Sequence, residues 1–138
     1  MPKTASSAKV SFTVPLVPPS VNHYRVRLGS KDRLGRAASF ETKEAKAFKQ
    51  AVAIFSRGQS VDGESYAVTC VYYLGHKQRG DIDNFLKCSL DALVCANVIR
   101  SDAAIQKLTA EKFRDKENPR TEFTVEAILY AKGAHSER

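Results

Sequence analysis

The chain has 138 residues, 43% of them hydrophobic, and a formal net charge of +7. This length is typical of one domain and is enough to bury a hydrophobic core. No run reaches the roughly 18 apolar residues that a membrane span needs, and the N-terminus lacks the apolar segment of a signal peptide. We therefore expect a single cytoplasmic domain over 1–138, with flexible tails at 1–8 and 133–138.

The positive charge is unevenly distributed. Between Asn22 and Arg57 there are nine Lys or Arg residues and three acidic ones, so this stretch carries +6 of the total +7. Clustered positive charge suits a phosphate backbone, and a solvated, lysine-rich helix face is the alternative. Cys70, Cys88 and Cys95 form no C-x-x-C pair. We expect them to be small buried residues rather than disulfide or zinc ligands.

The first half of the chain predicts a strand, a loop and a helix. Apolar residues alternate with period two in 9–17, which predicts a strand. Residues 22–38 show no apolar period, and we expect a long basic loop there. Ser39 or Thr42 is a suitable cap for a helix that continues to about Arg57.

The second half predicts the rest of an α/β (α+β) fold. Residues 66–74 are rich in β-branched and aromatic side chains, which predicts a strand buried on both faces. A helix is expected from Asp83 to Asn97, because asparagine tolerates the conformation that ends helices. Residues 104–114 and 121–131 predict two strands joined by a hairpin loop. The order β-α-β-α-β-β indicates one mixed sheet packed with two helices.

Four carboxylates and one lysine are concentrated between positions 81 and 102. Asp81 and Asp83 are two apart, so they point the same way in an extended segment. Asp83, Lys87 and Asp91 are successively four apart and would follow one side of a helix. Asp102 follows that helix after a short excursion and could return to its first end.

Carboxylates that converge repel one another and raise one another's pKa unless a cation neutralises them. Oxygen ligands select a hard ion, so Mg2+ or Mn2+ is favoured over zinc. Lys87 would suit a neighbouring role at a phosphate, where charge develops during hydrolysis. The alternative is structural: Asp83 caps the helix, and the Asp83–Lys87 and Lys87–Asp91 pairs are ordinary surface ion pairs.

The acidic segment also resembles a known family. Residues 80–91 read Gly-Asp-Ile-Asp-Asn-Phe-Leu-Lys-Cys-Ser-Leu-Asp, and Val98-Ile99 and Ser101-Asp102 follow. Together they resemble the core of the RusA-type Holliday junction resolvases. The upstream segment Pro-Pro-Ser-Val-Asn-His-Tyr, at 18–24, is similar to the N-terminal motif of that family. The resemblance extends from about Phe12 to Leu129.

The resemblance implies a homodimeric, Mg2+-dependent endonuclease that makes paired symmetric nicks in a four-way DNA junction, in bacterial or prophage recombination and repair. Asp81, Asp83 and Asp102 match the metal-binding aspartates, and Lys87 matches the catalytic lysine. We expect supporting roles for Asp91 and Asn84. The chain departs from the family at Ser101, where a second acid is common, and in the milder basic loop 76–79.

Seven residues in the motif, the basic loop and the loop before Asp81 are predicted to bind DNA: Asn22, Arg25, Arg27, Arg33, Arg36, Lys77 and Arg79. Phe85 is predicted to lie in the core rather than to stack on an unpaired base. The expected partners are branched DNA and a second copy of the chain, without a membrane. Two other functions stay open: a non-catalytic nucleic-acid-binding protein of the same fold, and a protein-interaction module whose acids are surface pairs.

Overall fold

The structure is a computed structural model that describes residues 6–31 and 37–129. Over these residues the elements follow in this order: β1 Ser6–Ser7, β2 Lys9–Val14, α1 Val21–Tyr24, β3 Arg25–Lys31, β4 Ala37–Glu41, α2 Lys43–Phe55, β5 Ser60–Val61, β6 Tyr66–Leu74, α3 Asp83–Cys95, a 3-10 turn Asp102–Ala104, β7 Ile105–Arg114 and β8 Arg120–Ala127.

A four-stranded mixed sheet forms the centre, in the order β2-β8-β6-β7. Strand β8 is antiparallel to both of its neighbours, whereas β6 and β7 are parallel. The helices α2 and α3 pack against each other and share one hydrophobic core with the sheet. The predicted α+β fold, with one mixed sheet and two main helices, is therefore confirmed. No helix in the described ranges has the length and apolar character that crossing a membrane requires.

Both main helices begin and end close to the predicted positions. Thr42 caps α2, because its Oγ1 accepts a hydrogen bond of 3.2 Å from the Ala45 amide. Asn97 follows the end of α3 and has a φ of 61°, which is the left-handed conformation predicted to end this helix. The helices were predictable because an apolar stripe and local cap residues define both.

The strand β6 alternates between a fully buried face and a half-buried face. This corrects the prediction that both faces are buried. On the outer face, side chains of the neighbouring strand β8 partly cover those of β6. The Arg120 guanidinium lies 3.7 Å from the centre of the Tyr73 ring, for example.

Two loop predictions are wrong, because the structure of each segment depends on which strands pair. Residues 22–38 contain α1, β3 and part of β4, and β3 pairs antiparallel with β4. This local hairpin is separate from the main sheet, so its pairing needs no apolar period along the chain. The segment between β7 and β8 is no hairpin loop, because β6 lies between these strands.

Residues 6–8 of the expected N-terminal tail are part of the described fold. Ser6–Ser7 pairs in parallel with Ser60–Val61, and the Ala127 amide donates 2.8 Å to the Ala8 carbonyl. These backbone hydrogen bonds hold the start of the described chain against the domain. The other predicted tail, 133–138, lies outside the described residues.

Two of the three cysteines are buried as predicted, and one is not. Cys70 and Cys88 are buried, and burial raises the pKa of each thiol to about 12. Cys95 is exposed, because it is the last residue of α3 and lies beyond the core.

Candidate active site

Asp81 and Asp83 lie at the point where the loop after β6 enters α3, and both are exposed. Ile82 occupies the cap position in a helical backbone conformation, so the segment from Asp81 to Asp83 is not extended as predicted. Ile82 makes no side-chain cap bond, and Asp83 belongs to the first turn of the helix and is not its N-cap. The Asn84 amide donates 3.0 Å to the Asp81 carbonyl and closes the turn. In the described part of the chain, neither aspartate side chain has a hydrogen-bond or ion-pair partner, so both carboxylates face solvent.

Gly80 and Phe85 fix the turn that presents these aspartates. Gly80 has a φ of 147°, and a Cβ at this position would lie 2.7 Å from the Phe85 ring. Phe85 is buried, as predicted, and its ring lies 5.2 Å from that of Tyr72 in β6. The turn before Asp81 therefore rests on a core aromatic residue and needs glycine.

Two strand residues that the sequence analysis did not single out also hold this loop. Lys112 Nζ donates 2.8 Å to the Gly80 carbonyl, and Arg114 donates 2.9 Å to the Gln78 carbonyl. Both cations are in β7, thirty positions or more from the loop in sequence. Because this contact depends on the position of β7 beside β6, no local pattern could have indicated it.

Lys87 and Asp91 lie further along the exposed side of α3. Lys87 Nζ is 3.4 Å from Asp91 Oδ1, which is one of the two predicted surface pairs. The other carboxylate oxygen, Asp91 Oδ2, accepts a hydrogen bond of 2.6 Å from the Tyr24 hydroxyl. Burial and this hydrogen bond raise the pKa of Tyr24. Asp91 therefore links the N-terminal motif to the predicted catalytic lysine, which is a supporting position.

Two more side chains extend this group. Lys49 Nζ lies 4.9 Å from the centre of the Tyr24 ring and forms an ion pair with Glu41. Burial lowers the pKa of Lys49, but its contacts with Glu41 and Tyr24 more than offset this and raise it overall. No local sequence pattern could have singled out Lys49, because its partners Tyr24 and Glu41 lie in other elements.

Asp102 is at the other end of α3. This helix has 13 residues, about 20 Å at 1.5 Å per residue. Asp102 begins the 3-10 turn that leads into β7, whose Ile105 pairs with Tyr66 at the start of β6, whereas Asp81 follows the end of β6. Within one chain, Asp102 therefore does not lie at the first end of α3, and that expectation is wrong. Among the residues described, no group of three or more His, Cys, Asp or Glu is placed to hold a metal.

The predicted DNA-binding residues divide into three sets. Asn22, Lys77 and Arg79 are exposed near the first turn of α3, and Asn22 and Arg79 line the same cleft. Arg25 and Arg27 are in β3, for which only the backbone is described. Arg33 and Arg36 lie outside the described residues. The structure therefore describes the side chains of the first set only.

This arrangement is that of an α+β domain with exposed carboxylates and a lysine at one helix start. The chain belongs to the endodeoxyribonuclease RusA family, whose model matches residues 15–126. It is therefore a member of a family of DNA-cutting enzymes. No curated protein is significantly similar to the chain.

Proposed function

We propose that the protein is a Mg2+-dependent, structure-selective endonuclease that resolves four-way DNA junctions by paired nicks, acting in the cytoplasm on recombining or damaged DNA. The proposal rests on the exposed, unpaired carboxylates of Asp81 and Asp83. Asp83 is one helical turn before Lys87. In a chain of net charge +7, such a site suits a cation that acts on a polyanion.

The residues present fit a divalent cation in part. Asp81 and Asp83 offer exposed carboxylate oxygens two positions apart in the chain, and Mg2+ commonly takes one or two carboxylates and keeps several waters. When bound, the ion would supply the charge that activates water and stabilises the leaving oxygen. Asp102, the third proposed ligand, does not fit within one chain, because it lies at the far end of α3. Lys87 would contact the scissile phosphate, and Asp91 would hold the ammonium group in position.

A second copy of the chain would remove this difficulty, and the edge strand β7 supports a dimer. Every residue of β7 is exposed or half-buried, and Leu108 and Phe113 are 41% and 49% exposed. Its outer edge pairs with no strand in the ranges described. A long exposed edge with apolar side chains is a template for pairing with another chain.

The sequence of β7 is self-complementary in one antiparallel register. With Thr109 opposite Thr109 of the partner, Lys107 lies opposite the partner's Glu111, and Leu108 lies opposite its Ala110. Lys107 and Glu111 share the outer face, because they pair with Ala67 and Val71 of β6. Leu108 and Ala110 share the core face. Opposite charges and apolar pairs directly across two strands are stabilising, and the two-fold axis forms each pair twice.

This register would carry Asp102 to the other active site. Residues before β7 in one chain would lie beside the end of β7 in the partner. That end contacts the loop before Asp81, since Lys112 donates to the Gly80 carbonyl. We therefore propose that Asp81 and Asp83 of one chain act together with Asp102 of the other.

The test is incubation with a synthetic four-way junction and Mg2+ or Mn2+, with a linear duplex of the same sequence as the control substrate. The wild type should nick opposite strands of the junction and leave the duplex intact. Asp81→Asn should lower the rate at least about 100-fold while junction binding persists, because it removes a ligand rather than a DNA contact. Glu126→Gln, an exposed acid of β8 two strands away from β7, should leave the rate unchanged.

Junction binding without nicking at any metal concentration would instead support a non-catalytic nucleic-acid-binding protein. Weak binding that is nearly independent of salt would support a protein-interaction module, because phosphate contacts make DNA affinity fall steeply with salt.

A further inference from the structure

A cleft of about 430 Å³ opens beside the proposed active site, between the N-terminal motif and the loop before Asp81. Its walls include Pro18, Pro19 and the Phe85 ring. Pro18 and Phe85 are buried and Pro19 is half-buried, so one side of the cleft is apolar and rigid. The volume is in the range of pockets that bind small molecules and cofactors.

Polar groups with unused hydrogen-bonding capacity surround this apolar wall. Gln78 Oε1 accepts a hydrogen bond of 2.6 Å from the Gly75 amide, which orients the side chain and leaves its NH2 group without a partner in the described ranges. His23 Nδ1 is 3.1 Å from Ser20 Oγ, and its Nε2 is similarly unengaged. The side-chain amide of Asn22 makes no hydrogen bond to any described residue, and Asn22 is exposed. The cleft therefore combines an apolar wall with two amides and an imidazole, and Glu44 also lines it.

The cleft is close enough to the aspartates for one nucleotide to reach both. Arg79 lines it and precedes Asp81 by two residues, so their Cα atoms are at most about 7 Å apart. The Phe85 ring contacts Gly80, the residue immediately before Asp81. A group held in the cleft thus lies beside the backbone that carries the carboxylates, and Arg79 supplies a cation between the two places.

We propose that this cleft binds one unstacked nucleobase of the DNA, from a nucleotide next to the bond that is cut. Apolar walls and hydrogen bonds to the base edge are how proteins hold a base taken out of the stack. Asn22 and Gln78 would read the base edge, since amide side chains can both donate to and accept from it. Arg79 would contact the adjoining phosphate. The inference rests on the proposed endonuclease function and adds to it a determinant of where the DNA is cut.

Two readouts test the proposal on the full-length protein. In the first, 2-aminopurine replaces single bases around the cut site, and fluorescence is measured without divalent cation so that no strand is cut. One position should brighten severalfold when the wild type binds, because an unstacked 2-aminopurine is no longer quenched. Asn22→Ala should abolish the increase, and so should Gln78→Ala. Gln50→Ala, an exposed glutamine of α2 remote from the cleft, should retain it.

Asn22→Ala keeps the proposal testable if Gln78→Ala unfolds the loop, because Asn22 makes no hydrogen bond that the described fold depends on. In the second readout, junctions carrying each of the four bases at that position are cut in Mg2+. The wild type should prefer one base by about tenfold or more, and Asn22→Ala should reduce the preference to about twofold.

Equal cutting of all four junctions by the wild type, with no position that brightens, would overturn the base site and leave the endonuclease intact. Absence of cutting on every junction would instead contradict the proposed function. Brightening that persists in both Asn22→Ala and Gln78→Ala would place the unstacked base elsewhere and would also overturn the proposal.

Discussion

A hydrogen bond from Tyr24 to Asp91 joins two segments that are 67 positions apart in the chain. Tyr24 is buried, and its hydroxyl is the donor to a carboxylate that also contacts Lys87. This contact brings the N-terminal motif beside the acidic segment. It also places Asp91, for which a supporting role is predicted, between the tyrosine and the lysine.

Replacing Tyr24 with phenylalanine should lower the free energy of unfolding by about 1.5–3 kcal/mol, because hydrogen bonds to charged groups contribute about that much. Urea denaturation measures the change. Tyr73→Phe is the matched control: its hydroxyl has no partner in the described structure, and we expect a change within about 0.5 kcal/mol. Equal effects of the two substitutions would show that the Tyr24–Asp91 bond does not stabilise the fold.

Gly80 and Gly58 are two glycines with positive φ and different surroundings. A Cβ on Gly80 would approach the Phe85 ring to 2.7 Å, whereas a Cβ on Gly58 would meet nothing within 4 Å. Gly58→Ala should therefore cost only the backbone strain, about 1–2 kcal/mol. Gly80→Ala should cost more and should displace Asp81, with a loss of nicking that Gly58→Ala does not show. Unchanged nicking by Gly80→Ala would contradict the role assigned to this turn.

The strand β7 is an exposed edge of the main sheet, and the proposed dimer depends on it. In the proposed register, Thr109 faces its own copy, and Cβ atoms of directly opposed residues are about 5 Å apart. In a Cys95→Ser background, Thr109→Cys should form an intermolecular disulfide under mild oxidation, seen as a dimer on a non-reducing gel. Thr13→Cys, exposed on the opposite edge of the sheet, should remain monomeric on that gel. Cross-linking of Thr13→Cys but not Thr109→Cys would contradict the proposed interface.

The helices could be predicted from the sequence, whereas the strand pairings could not. The helices α2 and α3 were predicted because each carries its own apolar stripe and stop signal. The positions of Asp81, Asp83 and Lys87 followed for the same reason, since they depend only on where α3 begins. The position of Asp102 did not follow, because it depends on β7 lying parallel to β6. The β3–β4 hairpin was also missed, because its pairing leaves no periodic apolar pattern.

For the whole molecule, the net charge of +7 should make junction affinity strongly salt-dependent. In a plot of log affinity against log salt concentration, each phosphate contact makes the negative slope steeper by about 0.9. Lys77→Ala with Arg79→Ala should reduce this slope by about 1–2. Fluorescence anisotropy across a salt series measures it. An unchanged slope would remove both residues from the DNA-binding surface.

In the proposed dimer, two chains build each active site, with Asp81 and Asp83 from one and Asp102 from the other. The most direct measurement mixes Asp81→Asn with Asp102→Asn after subunit exchange and follows nicking of a four-way junction. Each variant alone should be inactive, because both of its sites lack one ligand. In the mixture, half of the dimers should contain one intact site, restoring up to about a quarter of the wild-type rate. A mixture that dimerises and binds the junction but stays inactive would contradict the claim, as would Asp102→Asn that nicks normally by itself.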